Sequence, residues 1–342
     1  MVGKPIFLAH PSSLEHDPGP HPEQPARITA IEQELQARDW LGFELAQSPA
    51  VERSVLEAVH PRRYVETLEQ LSARGGGQLD LDTAMSAGSF AAAAHAAGGA
   101  VRLAELLTGG AGGAAAPTGF SAHRPPGHHA SAARAMGFCL FNSIAVAAAH
   151  AVGALGLERV MIFDWDVHHG NGTNDIFHAS DEVLFVSVHQ SPLYPGTGPA
   201  GDVGSGAGTG YTVNLPVPPG SDDLAYRALV DHVVVPLARE FKPQLLLVSA
   251  GYDAHREDPL ADCQVTEAGF AAMTHSLRRA CLDLGAPLGF VLEGGYALGP
   301  LARSVAATME AMVGDLPAVM ELPPVTSLAE AAHRRLAEFW AL

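Results

Sequence analysis

The chain has 342 residues, 47% hydrophobic and 17% charged, a balance that supports a large buried core and excludes an intrinsically disordered protein. Its 37 acidic and 20 basic residues give a formal charge of −17, which disfavours nucleic acid as a partner and favours cationic ligands. Three scattered cysteines, Cys139, Cys263 and Cys281, without a C-x-x-C pair exclude a disulfide framework and a thiolate zinc site.

No apolar run reaches the roughly 18 residues of a membrane span, and the run before His10 and Pro11 is too short for a secretory signal. A cytoplasmic protein without membrane contact is therefore expected. The length fits one large domain over 1–342, with 318–342 as a helical tail carrying no chemistry.

In chain order, β-prone apolar runs at 5–9, 114–121, 159–164, 183–188, 244–250 and 287–292 predict strands. Between them, Ala- and Leu-rich patterns predict helices at 24–37, 61–73, 87–107, 140–155, 222–240, 265–283 and 299–313. Pro236 disturbs the end of the fifth of these. Gly75–Gly77 and Gly109–Gly113 read as loops, and the Gly- and Pro-rich segment 190–221 as a long surface excursion. Such alternation predicts an α/β fold: a mainly parallel central sheet flanked by helices, with its active site at the C-terminal ends of the strands.

Four polar clusters follow apolar strand candidates: HRPPGHHA at 123–130, DWDVHHGNGT at 164–173, GYDAH at 251–255 and EGGY at 293–296. In open α/β sheets such clusters converge on one face. Asp166 and His168 are two apart in an extended stretch, so both leave the same side and can grip one ion. Asp164 shares that parity, and Asp253 supplies a third donor from another strand end. Three protein ligands leave a position open for water, the catalytic pattern for zinc, with iron or manganese compatible with the same donors. His128 and His129 follow a rigid PPG turn, and Asp164 and Asn171 each offer an acceptor to a ring N–H. Tyr296, after two glycines, can present a phenol to a polarised carbonyl. Singly, each of these residues is as readily a core or surface residue as a functional one.

As an ordered set, RPPGHHA, GFCLFN, DWDVHHGNGT, GYDAH followed by DPL, and EGGY resemble class II histone deacetylases and the bacterial histone-deacetylase-like amidohydrolases, including acetylpolyamine amidohydrolases, from about residue 10 to residue 312. The resemblance implies one zinc ion held by Asp166, His168 and Asp253. It implies His128 and His129 as the tandem histidines, His129 as general base and acid, Asp164 as the partner of His128, and Tyr296 as oxyanion donor. Asn171 stands where class I enzymes carry an aspartate, which resembles class II usage. Phe138 and Tyr194 resemble the two aromatics of the acyl channel, although phenylalanine is the commoner residue at the second position. Gly137 would accept the substrate N–H, Asp82 resembles a rim residue, and Leu260 takes the place of an acidic gatekeeper. Arg27 is similar to an arginine behind the metal. Asp164, Asp166, His168, Ser187 and Val188 resemble one structural potassium site, and Phe177, Ser180, Val183 and Tyr211 a second.

The expected activity is hydrolysis of an acylated amine such as acetyl-lysine, giving acetate and free amine, by an enzyme that can associate into a homo-oligomer. One rival is acetylpolyamine deacetylation, which suits an acidic protein, but Leu260 and the absence of a long insertion before 80–90 count against it. A binuclear ureohydrolase would need further carboxylates where Ala254 and His255 follow Asp253. A non-catalytic acyl-amine binding protein should have lost Tyr296, a metal ligand or the tandem histidines, and all are present.

Overall fold

A computed structural model describes residues 3–109, 118–317 and 321–342. Eight strands form one sheet: β1 (Ile6–Ala9), β2 (Glu44–Gln47), β5 (Thr118–Ser121), β6 (Val160–Asp164), β7 (Val183–Gln190), β8 (Thr212–Val217), β9 (Leu245–Ala250) and β10 (Leu288–Leu292). Two more, β3 (Gly76–Gln78) and β4 (Ala84–Ser86), pair antiparallel outside it. The sheet order is β2-β1-β5-β10-β9-β6-β7-β8. Every pairing in it is parallel.

The side-chain period of two divides each central strand between two cores. Met161 and Phe163 of β6 face a core shared with the helices Ala26–Ala37, Glu267–Leu284 and Leu298–Val313, whereas Val160 and Ile162 face the helices Ser89–Thr108 and Ser143–Gly153. Burial on both faces explains why the runs Val160–Phe163 and Leu245–Val248 are continuously apolar rather than alternating, with polar Asp164 and Ser249 only at the strand ends. The four polar clusters follow β5, β10, β9 and β6, which are consecutive in the sheet. Parallel pairing brings them to the same edge.

Three expectations need correction. The segment 190–221 is not wholly an excursion, because Thr212–Val217 adds β8 at the sheet edge beside β7. The tail satisfies a carbonyl of this strand and one just before it: Arg335 donates to the Asn214 carbonyl at 2.9 Å and Trp340 to that of Gly210 at 2.8 Å. The tail thus covers a sheet edge that would otherwise be open. The pattern at 222–240 is not one α-helix: a π-turn at Val230–Val234 separates Asp223–Leu229 from Val235–Phe241, re-phasing the ladder where Pro236 has no N–H to give. Finally, β2 was unforeseen, since its sequence ELAQ is largely exposed and shows no apolar run.

The strand expected over 114–121 is seen from Thr118, and 114–117 lie outside the described residues, as do positions 110–113 of the second glycine loop. Gly109, at φ 72°, closes the helix Ser89–Thr108 in the left-handed conformation. No helix among the described residues is long and apolar enough to cross a membrane.

Candidate active site

The turn after β6 is held by its own aspartates. Asp164 accepts the N–H of Asp166 at 3.1 Å, and Asp166 accepts that of His168 at 2.9 Å. Asp166 and Asp253 each give one oxygen to a backbone donor, Gly294 N–H and Val167 N–H respectively, both at 2.9 Å. Their other oxygens lie 3.1 Å from Nδ1 of His168. Donor atoms of Asp166, His168 and Asp253 all fall within 4.8 Å of one another, and all three residues are buried. Glycine is required around them: a Cβ on Gly251 would meet Asp166 Oδ2 at 2.0 Å, and one on Gly294 would meet Asp253 Oδ2 at 2.1 Å. Two carboxylates and an imidazole nitrogen, with no fourth such donor among the described residues, fit a divalent cation with an open coordination position.

The tandem histidines stand beside these donors, ring centroids 4.0 Å apart. Nδ1 of His128 is 2.9 Å from Asp164 Oδ2, and Nδ1 of His129 is 2.8 Å from Asn171 Oδ1. Burial opposes the charged form of His128, but the Asp166 and Asp164 carboxylates overcome it and hold this imidazole well above its ordinary pKa. Burial, then the charges of His128 and His168, hold His129 well below. Two equivalent rings in sequence therefore face opposite protonation tendencies. Behind them Glu293, fully buried, accepts the N–H groups of Gly127 at 2.6 Å and His128 at 3.1 Å. Sequence reasoning saw Glu293 only as the first letter of EGGY and missed this support.

Tyr296 follows Gly295, whose φ of 118° favours glycine. Arg27 donates to the carbonyls of Glu293 at 2.5 Å and Gly295 at 2.6 Å, and its guanidinium lies 5.1 Å from the Tyr296 ring centroid. Burial and the Asp253 charge keep the phenol protonated. A buried network behind Arg27 was not legible: Glu23 pairs with Arg27 at 3.1 Å, with His16 at 3.2 Å, and with Arg124.

A cavity of about 230 Å³ opens onto these groups, lined by His129, His168 and Tyr296 together with Gly137, Phe138, Tyr194, Leu260, Asp82 and the unforeseen Leu193. Phe138 holds a left-handed φ of 68° and its N–H is bound by Thr83 at 3.0 Å, a conformation that costs a non-glycine residue about 1–2 kcal/mol. Its ring meets that of Tyr296 edge-on at 5.6 Å, and Tyr194 meets His129 edge-on at 5.2 Å. A larger groove of about 750 Å³ outside shares Asp82 and Tyr194 with the cavity and is lined also by Asp80, Asp175 and Asp202.

The remaining expected residues lie around β7. Ser187 is the register partner of Asp164, with Val188 next to it. Phe177, Ser180, Val183 and Tyr211 gather at the start of that strand, where Ser180 N–H bonds the Phe177 carbonyl at 2.9 Å and Phe185 N–H that of Tyr211 at 2.9 Å.

A parallel sheet with this constellation at its strand ends defines an α/β protein with a candidate metal centre flanked by tandem histidines. Comparison with known proteins narrows the class, and the chain belongs to the histone deacetylase family: residues 21–312 match the histone deacetylase domain. It is 38% identical to "Histone deacetylase 14, chloroplastic" of Arabidopsis thaliana, over 94% of this chain and 82% of the relative. It is 39% identical to a "Probable deacetylase" of Archaeoglobus fulgidus, over 96% and 91%. To the "Histone deacetylase-like amidohydrolase" of Pseudomonas aeruginosa it is 36% identical, over 92% and 81%. The crystal structure of the HDA15 HD domain superposes with a TM-score of 0.89 at 36% identity, covering 99% of this chain and 95% of that one. Enzymes of this family hydrolyse the bond between an acyl group and an amine.

Proposed function

We propose that the protein removes an acetyl or related acyl group from an amine such as the side chain of acetyl-lysine, consuming one water and releasing the corresponding carboxylate, acetate for an acetyl group, and the free amine. The observation that carries this reading is a single cavity whose walls include His168, His129 and Tyr296, a metal donor, a proton acceptor and a hydrogen-bond donor in one place. A divalent cation, zinc by the family resemblance, held by Asp166, His168 and Asp253, would polarise the amide carbonyl and acidify a water molecule.

The chain's own residues do the rest. Asn171 accepts the Nδ1–H of His129 and so leaves Nε2 bare to take a proton from water and return it to the leaving amine nitrogen. Asp164 holds His128 in its charged form beside Asp166. Tyr296 donates its hydroxyl to the carbonyl oxygen as charge develops there. Phe138 and Tyr194 flank the methylene chain, the Gly137 carbonyl takes the substrate N–H, and Asp82 contacts the substrate at the rim. Potassium at the two groups around β7, Asp164, Asp166, His168, Ser187 and Val188, and Phe177, Ser180, Val183 and Tyr211, would brace the turns that carry the ligands.

Acetylpolyamine hydrolysis is the second reading, favoured by the aspartates of the outer groove and disfavoured by apolar Leu260 in the cavity wall. Turnover of an acetyl-lysine peptide and of acetylputrescine by zinc-loaded protein decides between them. Higher kcat/KM for the peptide is expected. A large preference for acetylputrescine reverses the order, and turnover of neither overturns the proposal.

A further inference from the structure

Asp258 is only 7% exposed, yet among the described residues no cationic side chain pairs with it. Its carboxylate is satisfied instead by three backbone N–H groups. Oδ1 accepts from Leu260 at 3.0 Å, and Oδ2 accepts from Tyr296 at 2.7 Å and Ala297 at 3.3 Å. A buried carboxylate without a cation is costly, and here it joins two segments whose side chains both line the cavity, Leu260 and Tyr296.

The segment carrying Tyr296 cannot set its own shape, because Gly294 and Gly295 precede the tyrosine and Gly295 sits at φ 118°. Its carbonyls at Glu293 and Gly295 are held by Arg27. Its amides at Tyr296 and Ala297 are held by Asp258. The strand end is thus clamped from both sides, its carbonyls by a guanidinium and its amides by a buried carboxyl group.

We propose that Asp258 is a positioning residue for the reaction: one oxygen fixes the cavity wall at Leu260, the other fixes the main chain of Tyr296 and so places its hydroxyl at the reacting carbonyl. The inference rests on the role proposed above for Tyr296. A change at 258 should therefore act on turnover through Tyr296, and on KM only through the wall at Leu260.

Asp258→Asn keeps the shape but replaces one acceptor oxygen by an NH₂ group, which then faces an N–H donor. Turnover of acetyl-lysine peptide should fall roughly 10- to 100-fold, the scale of a displacement of about 1 Å in a catalytic group, with KM within about 2-fold of wild type. The zinc content should be unchanged. In a Tyr296→Phe background the same substitution should cost less than about 2-fold, since the hydroxyl it positions is gone. Crystal structures of zinc-loaded wild type and Asp258→Asn should show Tyr296 displaced while Asp166, His168 and Asp253 stay in place. An equal loss in both backgrounds, or an unmoved Tyr296 in the variant, overturns the proposal. If the wild type hydrolyses no acyl-amine, the functional reading fails, and the crystal structures alone still decide whether Asp258 holds Tyr296.

Discussion

Nδ1 of His129 meets the amide oxygen of Asn171 at 2.8 Å, while Nδ1 of the adjacent His128 meets the carboxylate of Asp164 at 2.9 Å. A neutral partner stabilises imidazolium less than a charged one. The Asn171 bond does raise the His129 pKa, but burial and the neighbouring imidazoles outweigh it and hold this ring below its ordinary value. Asn171→Asp should therefore raise the pKa further. Since the base must be unprotonated, the acidic limb of the kcat/KM profile should move to higher pH by about 1 unit, the scale of a new charge partner. A pH profile on one acetyl-lysine peptide tests this, and an unmoved limb would show that His129 is not the base that titrates there.

With Asp253 and Asp166 both reaching Nδ1 of His168 at 3.1 Å, removing either carboxylate leaves two donors where three are needed. Asp253→Ala should lose metal on dialysis that the wild type retains. Zinc at 100 times its Kd should stabilise the wild type by about 2.7 kcal/mol, from mass action, and the variant hardly at all. Thermal unfolding with and without zinc, alongside elemental analysis, reads both effects. Two tightly held transition metals per wild-type chain would contradict a three-donor centre.

Leu260 lines the cavity with Tyr194 and Asp82, so the wall carries both apolar and acidic side chains. Leu260→Glu would place a second carboxylate there, facing whatever cation trails the acylated nitrogen. Its effect should be to raise kcat/KM for acetylputrescine relative to the peptide by roughly 10-fold, about 1.4 kcal/mol of charge complementarity. The gain should shrink with added salt. A ratio insensitive to both the substitution and the salt would remove Leu260 from substrate selection.

The residues most legible in the sequence are those with a local rule behind them. The clusters meet because the strands before them are apolar enough to be central and parallel. Asp166 and His168 do come together, but not through the period of two of an extended stretch: β6 ends at Asp164, and a turn in which Asp166 accepts the His168 N–H brings the two side chains to one place. What escaped depends on distant contacts. Glu293 is 165 positions from His128, whose N–H it accepts, and Asp258 is 38 from Tyr296. Neither partner leaves a trace in spacing. The strand Glu44–Gln47 escaped for another reason: an edge strand has one neighbour and little burial, so its sequence need not be apolar.

His60 lies just before the helix Arg62–Ala73 and braces the loop that carries Gly137 and Phe138 from both ends. Its Nε2 accepts the N–H of Asn142 at 2.9 Å, so that nitrogen must be bare, and Nδ1–H donates to the Ala132 carbonyl at 2.9 Å. A proton on Nε2 would set two donors against each other. Burial accordingly pushes the pKa from 6.5 down to about 4, against the Ala132 bond, which raises it. Between those two values the unfolded chain binds more protons than the folded one, so stability rises with pH through that window and is level above it. On acidification from about 6.5 to about 4 this group alone withdraws on the order of 3 kcal/mol. Buried His123, held down at about 3, acts in the same direction. Urea unfolding at pH 7.5, 6 and 5 should show wild type losing stability faster than His60→Gln, although the variant starts lower for want of the two bonds. Parallel pH dependences in the two proteins would mean that His60 is already free to protonate in the folded state.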